Sequence, residues 1–402
     1  MVFEKIDAKV CYMFFCPFDS GQEERARNEM FVKTDRLLGT GHTDAEDPVL
    51  KNISIAQNFL HGGGLPFACK HYSFTEYKLE MPGFEITESH LLLTVYPEDS
   101  VCQICVNIGV RSVSPDQLVY LRQIQMGNAC FDVNGQYKSC VKDLVREILG
   151  KIDVPETVLE NSAAETGYMV EINRAGEYDD AELLLLENKQ PLYGIITGDE
   201  GWRFLPESLT DERMNSSWGS RKFMRAVIFH NNFLLINLNS GAVGLDYVEF
   251  QKDYGGEFYG GANPYFLMDA PTAGVNHGIW FSASTCLVVK TISGQVIAGQ
   301  SLNIKSHSLL VKKDIRQTKN YRRQLIITLN KLEMVGIAEI GELDRLIRDN
   351  LDIIPLIDNI KYLLELLESE LDLLYQTSTN ALVTLLTVLG LGLAVIQIFI
   401  EL

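Results

Sequence analysis

Two hydrophobic patterns divide this chain. Through residues 1–300, short apolar runs bounded by polar and glycine-rich stretches alternate with segments of helical period. The runs predict strands at 9–15, 91–96, 101–110, 167–172, 192–197, 226–238, 245–250 and 279–292. Helical periodicity predicts helices at 114–126, 138–150 and 179–188. The polar stretch 153–166 carries Pro155 and reads as a linker between an α+β unit at 1–152 and a strand-rich α+β unit at 167–304. Beyond residue 305 the pattern turns helical, at 307–335, at 339–350 and again from 356. Ile357, Ile360, Leu364, Leu367, Leu371 and Leu374 follow one another at spacings of 3, 4, 3, 4 and 3, which is an a/d seam. Leu363, Leu366 and Leu373 broaden that stripe, as in a bundle or a higher oligomer. The same periodicity also suits an amphipathic helix packed on the chain's own domain.

Residues 381–400 (ALVTLLTVLGLGLAVIQIFI) contain no charge. As a helix they extend about 30 Å, the thickness of a bilayer core. A terminal core helix of this composition would need covering on every side, so a single membrane span over 378–402 is the expectation, with a lipid bilayer as partner. The expected fold is therefore an α+β cytosolic region, a long-helix stalk at 305–377 and one C-terminal transmembrane helix. Gln376, Asn380, Thr384 and Thr387 fall near one helical face, which Ala394 extends. In a homo-oligomer of four or more subunits that face would line a pore. Equally, the threonine hydroxyls can bond back to their own helix and leave a plain anchor. Glu365, Glu368, Glu370 and Asp372 precede the span and would favour cations at an inner mouth.

Composition narrows the function classes. The chain has 402 residues and a formal net charge of −18, which argues against holding bulk nucleic acid through its phosphates. A small nucleotide in a local pocket stays admissible. The basic residues Lys312, Lys313, Arg316, Arg322 and Arg323 cluster in one helical segment, as a solvated face or as a phosphate or lipid-headgroup site. Tyr254, Tyr259, Tyr265 and Trp280 punctuate a glycine-rich stretch, which reads either as a structural loop or as a stacking surface for a planar ligand. The N-terminus carries no secretory-signal pattern, so a reducing, cytosolic setting is expected for the soluble part. The eight cysteines then read as free thiols, and Cys102 and Cys105, inside a strand-like run, as core residues. There is no GxxxxGK[ST], GxSxG or HExxH, and no residue pattern names a cofactor, a metal site or an enzyme reaction.

The segment YQTSTNALVTLLTVLGLGLAVIQI resembles the start of the first span of the CorA-type magnesium transporters, where an Asn and a Leu-Thr pair fall at comparable spacing. Here those residues are Asn380 and Leu386-Thr387. The resemblance covers roughly residues 310–400, and the family's Gly-Met-Asn signature does not occur. It implies a stalk helix that continues into a pore helix in a symmetric oligomer, with Asn380, Thr384 and Thr387 facing the axis. Some CorA-like proteins are membrane effectors of prokaryotic antiviral systems gated by nucleotide messengers, and the resemblance makes such a role admissible here.

Overall fold

The computed structural model describes residues 3–18, 34–38, 50, 69–74, 76–96, 100–127, 131–160, 164–214, 217–238, 273–303, a discontinuous helical set between 315 and 330, and 341–401. Its centre is an eight-stranded mixed sheet in the order β2-β4-β5-β1-β8-β11-β10-β9. These strands are β1 (Ile6–Pro17), β2 (Lys70–Phe74), β4 (Glu85–Tyr96), β5 (Val101–Val113), β8 (Glu165–Ala175), β9 (Ser217–Arg221), β10 (Met224–Phe229) and β11 (Asn232–Asn237). A three-stranded sheet, β3 (Leu79–Glu80), β6 (Phe131–Val133) and β7 (Gln136–Lys138), packs beside it.

The first strand is the reason the body is one unit. β1 is almost wholly buried, and it pairs antiparallel with β5 along one edge and with β8 along the other. The expected boundary at 152–167 therefore cuts the chain where the sheet is continuous. Residues of the expected linker form a 3₁₀ turn (Glu156–Glu160) and the start of β8. Among the described strands, only β8 and β11 pair in parallel.

Both faces of β1 are covered, which explains its near-continuous apolar run. On one face, α1 (Pro115–Met126) and α4 (Lys189–Thr197) lie over the sheet. Tyr12 donates its hydroxyl to the Leu121 carbonyl there. Arg122 sits 4.7 Å over the Tyr168 ring and donates to the Ile196 carbonyl and to Asn232 Oδ1. One guanidinium thus joins α1, α4 and β11, and its burial lowers its pKa. The other face is crossed by the 31-residue helix α6 (Ala273–Asn303). Gly167 marks the closest approach: a Cβ there would lie 2.8 Å from Met13 Cε and 3.2 Å from Leu287 Cδ1. Polar residues are shared across this contact. Gln103 donates to Ser284 Oγ at 2.8 Å, and Trp280 donates its indole proton to Cys105 Sγ at 3.4 Å.

Three predicted strands have different outcomes. Residues 279–292 are part of α6 and residues 192–197 part of α4. Short apolar runs are ambiguous between a buried strand and a buried helix, and packing decides. Gly198, at φ 76°, ends α4 by accepting the left-handed conformation. The run 226–238 is a hairpin, β10 and β11, turned at His230 and Asn231 with His230 at φ 50°. The strand expected at 245–250 lies outside the described residues. The predicted helices appear as α1, α2 (Val141–Lys151) and α3 (Ala181–Glu187), while α5 (Glu207–Met214) was not anticipated.

α7 (Gly341–Asn350) packs on α6 and against β9 and β10. Its Asp344 is buried, accepts from Arg348 Nε at 2.8 Å and accepts the Ser282 hydroxyl of α6. Breaking a buried pair by removing one partner strands the other charge. Arg348→Met should therefore lower stability by about 3 kcal/mol, and the double variant Asp344→Asn/Arg348→Met should recover most of it, read by denaturant unfolding.

His71 on β2 lies with Nδ1 2.9 Å from Thr94 Oγ1 and its ring 6.3 Å from that of Trp280. Burial depresses its pKa to about 4. The unfolded chain binds this proton near pH 6.5 and the folded chain does not, so stability falls as pH drops from 6.5 towards 4. The loss attributable to His71 should be about 2 kcal/mol, less than the full shift because the ring keeps some exposure. His71→Gln should show a correspondingly shallower acid slope in unfolding experiments.

Candidate functional site

The C-terminal helix, α8 (Ile353–Glu401), is 49 residues long and runs for about 74 Å without a break. It leaves α7 through a sharp corner in which Asp352 takes φ 55° and the Leu356 amide donates to the Asp352 carbonyl. Pro355 occupies the first turn, where its missing amide proton costs nothing.

The first half of α8 is packed. The predicted seam is the stripe that its own chain covers: Ile360, Leu367 and Leu371 are buried, and Ile357, Leu364 and Leu374 half-buried. The cover includes the helical residues described between 315 and 330, of which Leu325 is buried in the same apolar cluster. Arg322 donates to Glu368 at 2.6 Å, and Lys319 lies 5.3 Å from the centre of the Tyr375 ring. As 322 faces 368 and 319 faces 375, the two segments run antiparallel. The heptad pattern is thus spent on an intramolecular helix pair, the second of the two uses the sequence allowed.

The second half is bare. From Thr379 to Leu393 every residue is exposed. The exposed set includes eight large aliphatic side chains: Leu382, Val383, Leu385, Leu386, Val388, Leu389, Leu391 and Leu393. Leaving each in water costs about 1.5–3 kcal/mol, roughly 12–24 kcal/mol together, at least as much as the net stability of a typical domain. Such a surface must be covered, and the helix is long and apolar enough to cross a membrane.

At about 100° per residue, Gln376, Asn380, Thr384 and Thr387 fall within about 80° of one another, centred roughly opposite the stripe that the chain itself covers. All four are exposed. Thr384 donates to the Asn380 carbonyl and Thr387 to the Val383 carbonyl, both at 2.8 Å. The hydroxyl protons are therefore used within the helix, and the oxygen lone pairs face outward. Ala394 continues the helix, but its side chain lies outside the described residues. Of the acidic set, Glu365 and Asp372 are exposed near the same face, Glu368 is paired with Arg322, and Glu370 lies on the other flank.

The remaining predicted positions separate. Trp280 is 7% exposed, buried between α6 and the sheet, so its ring serves packing. Arg323 is exposed beside Arg322. Tyr254, Tyr259, Tyr265, Lys312, Lys313 and Arg316 lie outside the described residues. Cys102 and Cys105, three apart on one strand, point to opposite sheet faces and are both buried. Among the described residues no three His, Cys, Asp or Glu side chains gather as a metal site.

A groove of about 560 Å³ was not anticipated from the sequence. It opens at the start of α1 and is lined by Phe3, Lys5, Asp116, Trp202 and Arg203. Arg203 donates twice to Asp116, at 2.9 and 2.6 Å, and lowers the carboxyl pKa. These two charges satisfy each other within the groove. Comparison with models of protein families, with curated proteins and with solved structures finds no match for this chain.

Proposed function

We propose that this protein is a membrane effector whose C-terminal helix enters a lipid bilayer and, in a homo-oligomer of four or more copies, lines a pore. The observation that carries this reading is the bare half of α8. It is apolar over its whole circumference except for a polar stripe turned away from the chain's own packing. Lipid satisfies the aliphatic surface, and a shared axis gives Gln376, Asn380, Thr384 and Thr387 water or ions to meet. The α+β body would remain in the cytosol as the sensor. A ligand there, for which a small nucleotide is our candidate by the CorA-like resemblance, would act by favouring one setting of the α7–α8 corner. The acidic residues Glu365 and Asp372 favour cations at the inner mouth.

A plain membrane anchor is the second reading. It is favoured by the threonine hydroxyls, whose protons are satisfied within the helix and need no pore.

Two measurements test these readings. Full-length protein should stay with membranes through an alkaline carbonate wash. Leu385→Arg/Leu389→Arg, at about 2.5–3.5 kcal/mol for each buried arginine, should release it. Release of the unsubstituted protein would end the membrane assignment. In planar bilayers, Thr384→Leu/Thr387→Leu should abolish conductance while the assembly mass measured in detergent is unchanged. Equal conductance in that variant would reject Thr384 and Thr387 as the pore lining, and no conductance in the unsubstituted protein would leave the anchor reading.

A further inference from the structure

α8 carries a second heptad seam. Tyr362, Leu366, Ser369 and Leu373 follow at spacings of 4, 3 and 4, and all are exposed. Tyr362 is 60% exposed, Leu366 44% and Leu373 62%. Leu371 on the covered seam and Leu373 on this one point about 160° apart around the helix. The chain's own packing therefore leaves the second seam open along its length. Past Leu373 the register continues unbroken through Gln376, Asn380, Val383 and Thr387, at spacings of 3, 4, 3 and 4, into the bare apolar half.

We infer that this outward seam takes the same seam of a second copy of the chain, in parallel and in register. The occupant is argued from the continuity of the register. A soluble partner helix could cover Tyr362 to Leu373, but it could not follow the seam into a segment that water does not cover. A chain that matches both halves must itself be part polar stalk and part bare apolar helix at the same residue, as another copy of α8 is. Insertion from one side of a bilayer also sets all copies at one depth, which makes the pairing parallel. The inference rests on the membrane reading above, and it names the residues that bring copies together before any pore is formed.

The seam has a flaw that makes it recognisable. With Leu366 and Leu373 at a positions, Glu365 stands at g and Glu370 at e. In a parallel pair, Glu365 of one copy faces Glu370 of the next, and like charges oppose association. Screening should therefore strengthen the contact, the reverse of an interface held by ion pairs.

The test uses the full chain in membranes under mild oxidation, with the unsubstituted protein as the background for native thiols. Ser369→Cys and Leu373→Cys should each give disulfide-linked dimers. Lys361→Cys, exposed but about 110° away from the seam, should give no more than background. Yield at Ser369→Cys should rise about twofold or more between low salt and about 0.5 M salt. Leu366→Glu/Leu373→Glu, at positions already exposed, should reduce the mass in detergent without altering the unfolding of the body. Cross-linking equal at all three sites, none at Ser369 and Leu373, or a yield that falls with salt would each overturn the seam. Strong cross-linking in a protein without conductance would retain the seam and reject the pore, so the two failures are distinct.

Discussion

Everything in this protein hangs on one continuous helix whose two halves meet opposite conditions. The backbone of α8 closes its hydrogen bonds internally, so it can leave the folded body without stranding peptide groups. Its side chains are the constraint. Up to Leu374 an apolar stripe is covered by the chain itself, and from Thr379 to Leu393 no side is covered. The body covers part of the first half only, and the second half is long and apolar enough to cross a membrane.

The body is built to hold the base of that helix. β1 binds β5 and β8 into one sheet, α6 crosses the sheet, and α7 packs on both α6 and the β9–β10 edge. The buried Asp344–Arg348 pair with Ser282 fixes α7 to α6, one turn before the corner at Asp352. The sheet and α6 are thus joined to the base of α8 through one short helix. The helical residues described between 315 and 330 pack on one side of α8 through Leu325 and Arg322, and leave its far side open.

Much of this was legible in residue order. Strands β1, β4, β5 and β8 and helices α1 and α2 follow directly from apolar periodicity, as does the long terminal helix. Other turns carry local signals of their own. Asn134-Gly135, at φ 52° and 77°, turns the β6–β7 hairpin, and the polar His230-Asn231 pair inside an apolar run turns β10 into β11. The α6 segment had no local signal that separated helix from strand, because it is apolar on nearly all sides and both states bury it equally well. The groove beside Trp202 joins residues nearly two hundred positions apart, and no spacing rule brings Phe3 to Arg203.

By itself the sequence determined that a helix of heptad period runs without interruption into an uncharged apolar segment, because both properties are local: spacing along one backbone and side-chain transfer from water. It also set the polar stripe of Gln376, Asn380, Thr384 and Thr387, since their angles follow from residue number alone. Only the tertiary structure decided which stripe of α8 is used within the chain. The Ile360, Leu367 and Leu371 seam is the more apolar of the two, but its spacing suits a second copy as well as the chain's own domain, and hydrophobic burial has no direction of its own. The choice between them belongs to the corner at Asp352 and to α7, whose packing on the sheet turns one face of the helix inward and leaves the other exposed.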